Sequence, residues 1–476
     1  MSYDLKLEQR GIEYIALKPE ECPPLPNGQQ DSLALFDLCY RTLCSVMFNH
    51  ASSGHPGGSV SSGRIVQSLV FNRMDYDIGN PMDRTADILS YAAGHKALGL
   101  YAMSALRNEV VRLAAPDQLP EDVRQQLRLE DILGFRKNPI TSTPLFKKFG
   151  SKPLDGHPTP ETPFVWLSTG PSGVGVATSV GLAMTLKDMH GDKAPAVHVI
   201  EGEGGLTPGR VAEALASAAS SGLDNFYMHV DWNQASIDSN TVTREGGTAG
   251  EYVQWDPCEF LLMQGFNVIY VPDGFDFAQI REAQKRAEAL DNGRPTGIVY
   301  RTVKGWQYGI EGCKSHGAGH GFYSPEYLES LRPFEEKTGL RFPRFEGEKS
   351  PVAVEQAFYE SLLAIRGAFE RNMALTRQLS DWVVNARQRL ADAPRPLRED
   401  APRLDRLYAD GAISPFERPE ELRYEAGSKQ TLRGALSQVM NQVNLLTGGA
   451  VLAAAADLYG STNVSSITKG MGSGFW

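Results

Sequence analysis

The stretch VIEGEGGLTPGRVAEALASAASSGLDNFYMHVDWNQ, residues 199–234, decides the fold class of this chain. An apolar run ends near Ile200, glycines follow, a helical pattern begins near Gly209, and a second apolar run ends in Asp231-Trp232-Asn233. Strand, helix and strand in this order are typical of a βαβ unit in a parallel sheet. Side chains just past the two strands are therefore expected at the carboxyl edge of the sheet, where ligands bind.

The same alternation extends over residues 164–305. Short apolar runs rich in β-forming residues predict strands at 164–169, 196–202, 226–233, 266–274 and 297–305. Helical patterns alternate with them at 173–189, 209–221, 256–264 and 277–290. This order predicts an α/β fold, a doubly wound parallel sheet with helices on both faces.

Composition changes divide the remaining chain. Residues 1–345 are predicted to hold the sheet, with the first 30 as an arm on the surface or on a partner and 51–63 as an irregular small-residue loop. Residues 346–425 read as a helical extension followed by a linker rich in proline and charge. Residues 426–476 predict a helix and then a buried strand at 450–458. About 50 residues are too few for a free-standing domain, so this segment reads as the incomplete start of another.

The bulk composition excludes several classes of protein. The chain has 476 residues, 41% of them apolar, and a formal net charge of −10, which argues against a general nucleic-acid or membrane-surface binder. Five cysteines without CxxC spacing favour a reduced chain over a disulfide framework or a zinc site. No signal peptide or long apolar span is visible, so we expect a cytoplasmic protein.

Glu203 and Asn233 stand thirty positions apart, each just past one of the two strands. Mg²⁺ prefers hard oxygen ligands that it shares with phosphates, so these two side chains predict a magnesium site beside a bound diphosphate. Gly202 and Gly204 would let backbone N–H groups approach the phosphate near the helix N-terminus.

A dinucleotide site is the alternative interpretation of the same glycines. Gly-x-Gly after a strand, with Asp231 near the end of the next strand, partly matches the dinucleotide fingerprint. Leu206 and Thr207 follow Gly205, however, so the third glycine of that fingerprint is not at its proper spacing. The magnesium–diphosphate interpretation is therefore favoured.

An acid between glycines, followed by asparagine thirty residues later, resembles the thiamine diphosphate motif of transketolases and their relatives. Two positions depart from that motif, because the family usually has aspartate where this chain has Glu203 and glutamate where it has Pro208. Five further segments resemble transketolase segments in the same order, so that the likeness covers roughly residues 45–320: SSGHPGG (52–58), ILSYAAGHKALGLYA (88–102), LDGHPTPETP (154–163), STGPSGVGVATSVGLA (168–183) and KSHGAG (314–319).

The resemblance implies a role for residues in each of these segments. His55 and His316 would handle protons and contact substrate oxygens, and His157 would contact the first hydroxyl of the donor. His95 would face the cofactor diphosphate. The remaining implied cofactor-binding residues are Gly170, Pro171, Gly173, Gly202, Gly204, Asn233 and Asp457, the metal ligands are Glu203, Asn233 and the carbonyl of Ala235, and the substrate phosphate contacts are Arg433 and Ser461.

In transketolases, a glutamate from a second, pyrimidine-binding domain activates the cofactor across a dimer interface. Residues 426–476 resemble the first helix and strand of that domain, and the chain ends before the position of this glutamate. We therefore expect a fragment or one subunit of a split enzyme. Such a chain would form a homodimer, or a complex with a polypeptide carrying the rest of the domain, and would have negligible activity alone.

The implied activity is transfer of a two-carbon ketol unit from a ketose phosphate to an aldose, with thiamine diphosphate and Mg²⁺. The histidines His55, His157 and His316 suit polyhydroxylated donors. Two alternatives stay open: the first component of a 2-oxo-acid dehydrogenase complex, and a non-catalytic transketolase-like paralogue.

Overall fold

The computed structural model describes residues 11–137, 142–409, 411, 414, 416–455 and 458–472. These residues form two compact units. The first consists of the chain up to residue 184 together with 195–394, and the second consists of 185–194 together with the chain from 395 onward. The predicted division at residues 345 and 425 remains a prediction.

The first unit is built on a six-stranded parallel sheet with the order β1-β5-β6-β4-β3-β2. Because neighbouring strands run in one direction, their carboxyl ends share one edge. The strands are β1 (Tyr14–Ala16), β2 (Ile88–Tyr91), β3 (Val197–Gly202), β4 (Phe226–Trp232), β5 (Asn267–Val271) and β6 (Thr296–Arg301).

Both faces of this sheet are covered. Consecutive residues of β3 and β4 are buried, and successive side chains of a strand point to opposite faces. The predicted α/β fold with helices on both faces is thus confirmed. His198 and His229 lie buried within the sheet, with Nδ1 of His198 3.0 Å from Nε2 of His229.

Helices surround the sheet and extend the first unit well beyond residue 345. The helices Pro351–Arg371 and Met373–Asp392 pack against the long N-terminal helices, so the segment predicted as an extension folds back onto this unit. The α-helices of the described residues are α1 (Asn27–Ala51), α2 (Pro56–Ser61), α3 (Gly63–Ser68), α4 (Ala97–Ala114), α5 (Pro144–Phe149), α6 (Val174–His190), α7 (Gly209–Ser220), α8 (Pro257–Met263), α9 (Phe277–Glu288), α10 (Pro325–Thr338), α11 (Pro351–Arg371), α12 (Met373–Asp392) and α13 (Leu432–Thr447).

Three local predictions for the first unit were wrong. The surface arm contributes β1, which pairs with β5. The predicted loop 51–63 contains α2, whose glycines serve close packing, since a Cβ on Gly57 would lie 2.1 Å from Oγ of Ser315. The apolar segment 164–169 forms no strand, because Phe164 has a φ of 68° and its ring packs under the Arg107 guanidinium at 4.2 Å.

In the second unit, the predicted helix is present as α13, capped by the Thr431 side chain and ended by Gly448 with a φ of 76°. The predicted buried strand at 450–458 was wrong over its described part. Residues 450–455 have no regular structure, and Leu452 is 41% exposed. A strand needs a paired neighbour, and the part of this unit that the structure describes offers none.

Two further observations concern the described residues as a whole. All five cysteines are free thiols, as their spacing predicted. None of the helices described combines the length and the hydropathy that crossing a membrane requires.

Candidate active site

Four neighbouring strands end at one cavity. Because β6, β4, β3 and β2 are parallel neighbours, the loops that follow them meet at the carboxyl edge of the sheet. Lys304, Asn233, Glu203 and the segment Ala92–Lys96 follow these strands in that order, and all line the cavity. It encloses about 1060 Å³, part of which is open solvent.

The three predicted metal ligands are linked to one another by hydrogen bonds. The backbone N–H of Asn233 donates to Oε2 of Glu203 at 3.2 Å, and the N–H of Ala235 donates to Oδ1 of Asn233 at 3.0 Å. The Ala235 carbonyl in turn accepts a hydrogen bond from Nζ of Lys304 at 2.8 Å. The structure thus brings together the oxygen side chains that the sequence placed at two strand ends.

Glu203 is buried and incompletely satisfied. Its Oε1 atom is buried without a hydrogen-bond partner. The pKa of this carboxyl is raised to about 7, mainly by burial and also by the nearby Asp231, while Lys304 opposes the rise. A second cavity-lining carboxyl, Glu201, has a pKa that burial also raises to about 7. The edge is therefore rich in carboxylates that a cation would stabilise.

A buried ion pair supports the Asn233 side of the site. Nζ of Lys96 lies 2.7 Å from Oδ2 of Asp231, and neither side chain is more than 2% exposed. Burial would raise the pKa of Asp231, but Lys96 and the hydroxyl donors Ser61 and Thr302 hold it below its ordinary value. Asp231 also accepts from Nδ2 of Asn233 at 3.0 Å, which turns the amide oxygen of Asn233 away from Asp231. This pair therefore orients a predicted metal ligand.

Three of the predicted histidines form a cluster, of which His95 and His316 line the cavity. The ring centres of His55 and His316 are 5.1 Å apart, those of His95 and His316 are 5.1 Å apart, and those of His55 and His95 are 5.5 Å apart. His55 is fixed by its Nδ1, which lies 2.9 Å from the carbonyl of His316. His157 is exposed and lies beside Gly170, where an added Cβ would be 3.3 Å from the imidazole.

The clustered imidazoles favour the neutral form. Burial and, second, the neighbouring Lys304 together lower the pKa of His316 to about 3. Burial likewise lowers the pKa of His55 and, more strongly, that of His95, whose next-largest influence is Lys96. Neutral imidazoles can accept protons or hydrogen bonds from hydroxyl groups at neutral pH.

Glycines allow the loop at the start of α6 to approach the cavity. A Cβ on Gly94 would lie 2.6 Å from the backbone nitrogen of Gly170, and one on Gly175 would lie 2.5 Å from Cα of Ala92. Gly173 has a φ of 79°, which side-chain-bearing residues rarely adopt. The predicted Gly170, Gly202 and Gly204 line the cavity; Pro171 lies beside Gly170 and is exposed.

The predicted substrate contacts lie in the second unit. Arg433 and Ser461 are both exposed, and Nη1 of Arg433 donates to the Ser461 carbonyl at 2.9 Å. The structure therefore brings these two residues together. Asp457, predicted to lie near the cofactor, falls outside the described residues.

Sequence reasoning missed the two lysines of the site. Lysines are mostly surface residues, so nothing in the sequence placed Lys96 and Lys304 in the site. In the structure they are 1% and 4% exposed. A usable signal was present, since Lys304 follows an apolar strand and Lys96 follows a glycine-bearing turn, as Glu203 does. Across the described residues, no group of three His, Cys, Asp or Glu side chains is arranged to hold a metal. The predicted site instead combines one carboxylate with an amide and a carbonyl.

Comparison with known proteins finds similarity to one family over the centre of the chain. The model of the family described as "Transketolase, thiamine diphosphate binding domain" matches residues 125–333, a range that contains Glu203, Asn233 and His316. This part of the chain is thus similar to the thiamine diphosphate binding domain of transketolases. This agrees with the resemblance carried by its glycine and histidine segments.

Individual members of the transketolase family are distant from this chain. Transketolase-like protein 2 of Mus musculus is 32% identical over 255 residues, which cover 53% of this chain and 34% of the mouse protein. Transketolase of Physarum polycephalum is 26% identical over 334 residues, covering 66% of this chain and 44% of the relative. The chain thus spans less than half the length of these two relatives.

Solved structures show the same fold. The transketolase from Campylobacter jejuni superposes with a TM-score of 0.62 at 23% identity. The match covers 91% of this chain and 58% of that one. The parallel sheet and its helices are therefore those of the transketolase fold.

Proposed function

We propose that this chain binds thiamine diphosphate and Mg²⁺ and supplies the diphosphate- and metal-binding half of a transketolase-like active site. The complete site would move a two-carbon ketol unit from a ketose phosphate to an aldose. One observation carries the proposal. At a single edge of the sheet, the hydrogen-bonded series Glu203, Asn233 and Ala235 lies beside the imidazoles of His55, His95 and His316. Oxygen ligands beside proton acceptors are what a metal-held diphosphate and a polyhydroxylated substrate require.

The donor set fits a magnesium ion. A buried carboxylate oxygen without a partner is costly, and Oε1 of Glu203 is such an atom. A hard cation would satisfy it, and Oδ1 of Asn233 and the Ala235 carbonyl would supply two further oxygen ligands. The longer side chain of Glu203, compared with the aspartate usual in the family, is thus compatible with the metal site.

The surrounding loops fit the diphosphate of the cofactor. Gly170 packs closely on Gly94 in the segment that carries His95, and Gly173 packs against Pro208 and Val211 at the start of α7. When bound, thiamine diphosphate supplies a nucleophilic carbon and an electron sink. The neutral His55, whose Nδ1 faces the His316 carbonyl, would then accept a proton from a donor hydroxyl at Nε2. His316 would contact substrate oxygens, and the exposed His157 would contact the first hydroxyl of the donor.

The second unit supports the need for another polypeptide. Leu432, Leu436 and Val439 of α13 are 91%, 60% and 47% exposed, and residues 450–455 lack the predicted strand. A helix that exposes one apolar face is typical of a domain whose packing partner is elsewhere. We infer a homodimer, or a cytoplasmic complex with a chain that carries the rest of the pyrimidine-binding domain, in which Arg433 and Ser461 contact the substrate phosphate.

Calorimetry tests the binding half of the proposal. Thiamine diphosphate with Mg²⁺ should bind the chain, and Glu203→Gln should weaken metal-dependent binding by about 10- to 100-fold, because a charge-assisted ligand contributes roughly 1.5–3 kcal/mol. Glu213→Gln, an exposed glutamate of α7, is the matched control and should bind like the parent. Equal binding by both variants would contradict the metal site.

A transfer assay tests the catalytic half. With xylulose 5-phosphate and ribose 5-phosphate, the chain alone should show no turnover, and a polypeptide carrying the remaining pyrimidine-binding domain should restore it. Cofactor binding without restored transfer would favour a non-catalytic paralogue. The contact of Lys304 with the Ala235 carbonyl is the observation that keeps this second candidate open.

A further inference from the structure

The first unit contains a second cavity, apart from the candidate active site. It lies between the start of β2, the helix α4 and the segment that carries Phe164 and Trp166, and it shares no lining residue with the first cavity. Its volume is about 570 Å³ including open solvent, and its closed part has room for about two water-sized molecules. A ligand of this cavity is therefore small.

Arg107 lines this cavity and is only 7% exposed. The rings of Tyr76 and Phe164 have their centres 4.9 Å and 4.2 Å from its Cζ, which stabilises the guanidinium through cation–π contacts. Burial raises the pKa of the Tyr76 hydroxyl, and Arg107, which hydrogen-bonds to it, opposes the rise. Among the described residues no carboxylate forms an ion pair with Arg107, and its Nε is buried without a hydrogen-bond partner.

A buried guanidinium in this state has unused capacity for an anion. A buried charge is costly unless it is paired, and aromatic rings do not satisfy the in-plane N–H groups. Two parallel N–H groups of a guanidinium match the two oxygens of a carboxylate. The charge and geometry of Arg107 therefore suit a carboxylate that enters the cavity.

The segment that covers Arg107 is strained. Phe164 has a φ of 68°, which is an outlier for a bulky residue, and its ring packs edge-on against that of Tyr76 with the centres 5.9 Å apart. Backbone strain of this kind persists where the surroundings impose it and is common at ligand-binding sites. The position of the Phe164 ring over the guanidinium is thus maintained against a local conformational preference.

Two carboxylates line the same cavity, and they differ in what they bind. The two oxygens of Asp87 accept the backbone N–H groups of Ala196 and Asp75 at 2.8 Å and 2.7 Å. Asp83 is half-buried, and its Oδ1 accepts from the N–H and the hydroxyl of Thr85 at 2.8 Å and 2.7 Å. Within the described part of the chain, Oδ2 of Asp83 has no hydrogen-bond partner. The cavity thus presents a guanidinium and a carboxylate that do not pair with each other.

The rest of the lining is mostly apolar. Methionine side chains are flexible and can adjust to a small ligand. A ligand that matches the whole cavity has a carboxylate, a cationic group and a small apolar body. The apolar lining residues are Val70, Met74, Pro81, Ala86, Leu89, Leu100, Met103 and Trp166.

We propose that this cavity binds a small apolar α-amino acid, with its carboxylate on Arg107 and its ammonium on Asp83. An ammonium donates to a carboxylate oxygen, and Oδ2 of Asp83 is available to accept. The inference goes beyond the proposed function and does not depend on it, because the two cavities have no lining residue in common.

Equilibrium dialysis of the intact chain with L-alanine tests the proposal. Binding should be saturable, with one site and a Kd below about 1 mM. Propionate lacks only the ammonium of alanine, and ethylamine lacks only its carboxylate. Each loses one charge-assisted contact and should bind at least about tenfold more weakly than alanine.

Two variants and a matched control assign the contacts. Arg107→Met should bind alanine at least about tenfold more weakly, whereas Arg84→Met, which removes an exposed arginine next to Asp83, should bind like the parent. Asp83→Asn keeps the acceptor for Thr85 but removes the charge, so it should weaken alanine binding about tenfold without weakening propionate binding. If circular dichroism shows that Arg107→Met is unfolded, Arg107→Lys replaces it, since lysine keeps the charge but lacks the paired N–H groups.

Three results would each overturn the proposal. The first is the absence of saturable alanine binding up to about 10 mM. The second is equal affinity of the parent and the folded Arg107 variant for alanine, which would place binding elsewhere. The third is propionate binding as tight as that of alanine, or alanine binding that Asp83→Asn leaves unchanged, because the ammonium would then have no site.

Discussion

The buried pair of Lys96 and Asp231 allows a quantitative prediction about how the candidate-site edge of the sheet is stabilised. At an effective dielectric constant of about 20, unit charges 2.7 Å apart attract by roughly 6 kcal/mol before desolvation is counted. Removing one partner of a buried pair typically costs about 3–5 kcal/mol, because the other charge stays buried. Ser61, Thr302 and Asn233 still donate to Asp231, so we expect Lys96→Met to lower the free energy of unfolding by about 3 kcal/mol.

Equilibrium unfolding in urea at pH 7, followed by circular dichroism, measures this loss. Lys314→Met, at an exposed position, should stay within about 0.5 kcal/mol of the parent. The double variant Lys96→Met/Asp231→Asn should lose less free energy of unfolding than the two single variants lose in sum, because it leaves no unpaired charge. A loss below about 1 kcal/mol, or additivity within about 0.5 kcal/mol, would refute the reasoning.

The pH dependence of the same pair has a defined sign. The pKa of Asp231 is lower in the folded state than its ordinary value of 3.8. The contribution of the pair is therefore fully present above pH 3.8 and is lost as the pH falls through the folded pKa. The stability difference between the parent and Lys96→Met should accordingly shrink only in that acidic range.

Three further predictions follow from local packing and burial. Gly175→Ala should lower the free energy of unfolding by about 1–3 kcal/mol, because the added Cβ would lie 2.5 Å from Ala92. Gly181→Ala, on the same helix, adds a Cβ with nothing within 4 Å and should be neutral or stabilising. Equal urea midpoints for the two variants would contradict this prediction. His50 stacks on Phe358 with both ring nitrogens buried and unpartnered, and burial lowers its pKa to about 3. A histidine whose pKa is lowered by folding destabilises the folded state as the pH falls below 6.5. The free energy of unfolding of His50→Phe should therefore rise relative to that of the parent by about 1.4 kcal/mol per pH unit as the pH falls from 6.5 to 5. A difference in urea unfolding that does not change with pH would exclude this. Leu436→Ser, at a 60% exposed position, should change stability by less than about 0.5 kcal/mol yet weaken self-association or partner binding in sedimentation velocity; unchanged association would place the interface elsewhere.

Local pattern sufficed to predict the centre of the sheet and the proximity of Glu203 and Asn233, the two predicted metal ligands. β3 and β4 are buried on both faces, so their sequences are nearly continuous apolar runs, and parallel pairing then places Glu203 and Asn233 side by side. The position of these residues follows from where two strands end. This is why two side chains thirty positions apart could be paired from sequence alone.

Elements fixed by distant contacts could not be predicted in this way. β1 has only three residues, and its strand state depends on pairing with residues near 268. Phe164 lies in an apolar run that packs against Arg107 instead of joining the sheet. Lys96 is buried only because Asp231, far away in sequence, neutralises it. In each case the deciding partner lies outside any local window.

The edge position of β1 has a consequence for synthesis of the chain. The N–H of Glu13 donates to Oδ1 of Asn267, a separation of 254 residues. At about 5–20 residues per second on the ribosome, the segment before β1 must wait roughly 13–50 seconds before its partner strand exists. Until then the backbone N–H and C=O groups of β1 stay exposed to water or to chaperones. After β5 has emerged, its outer edge stays unpaired until β1 pairs with it. The sheet is therefore completed by its first-made strand, which makes this late closure the natural point at which folding of the first unit competes with aggregation.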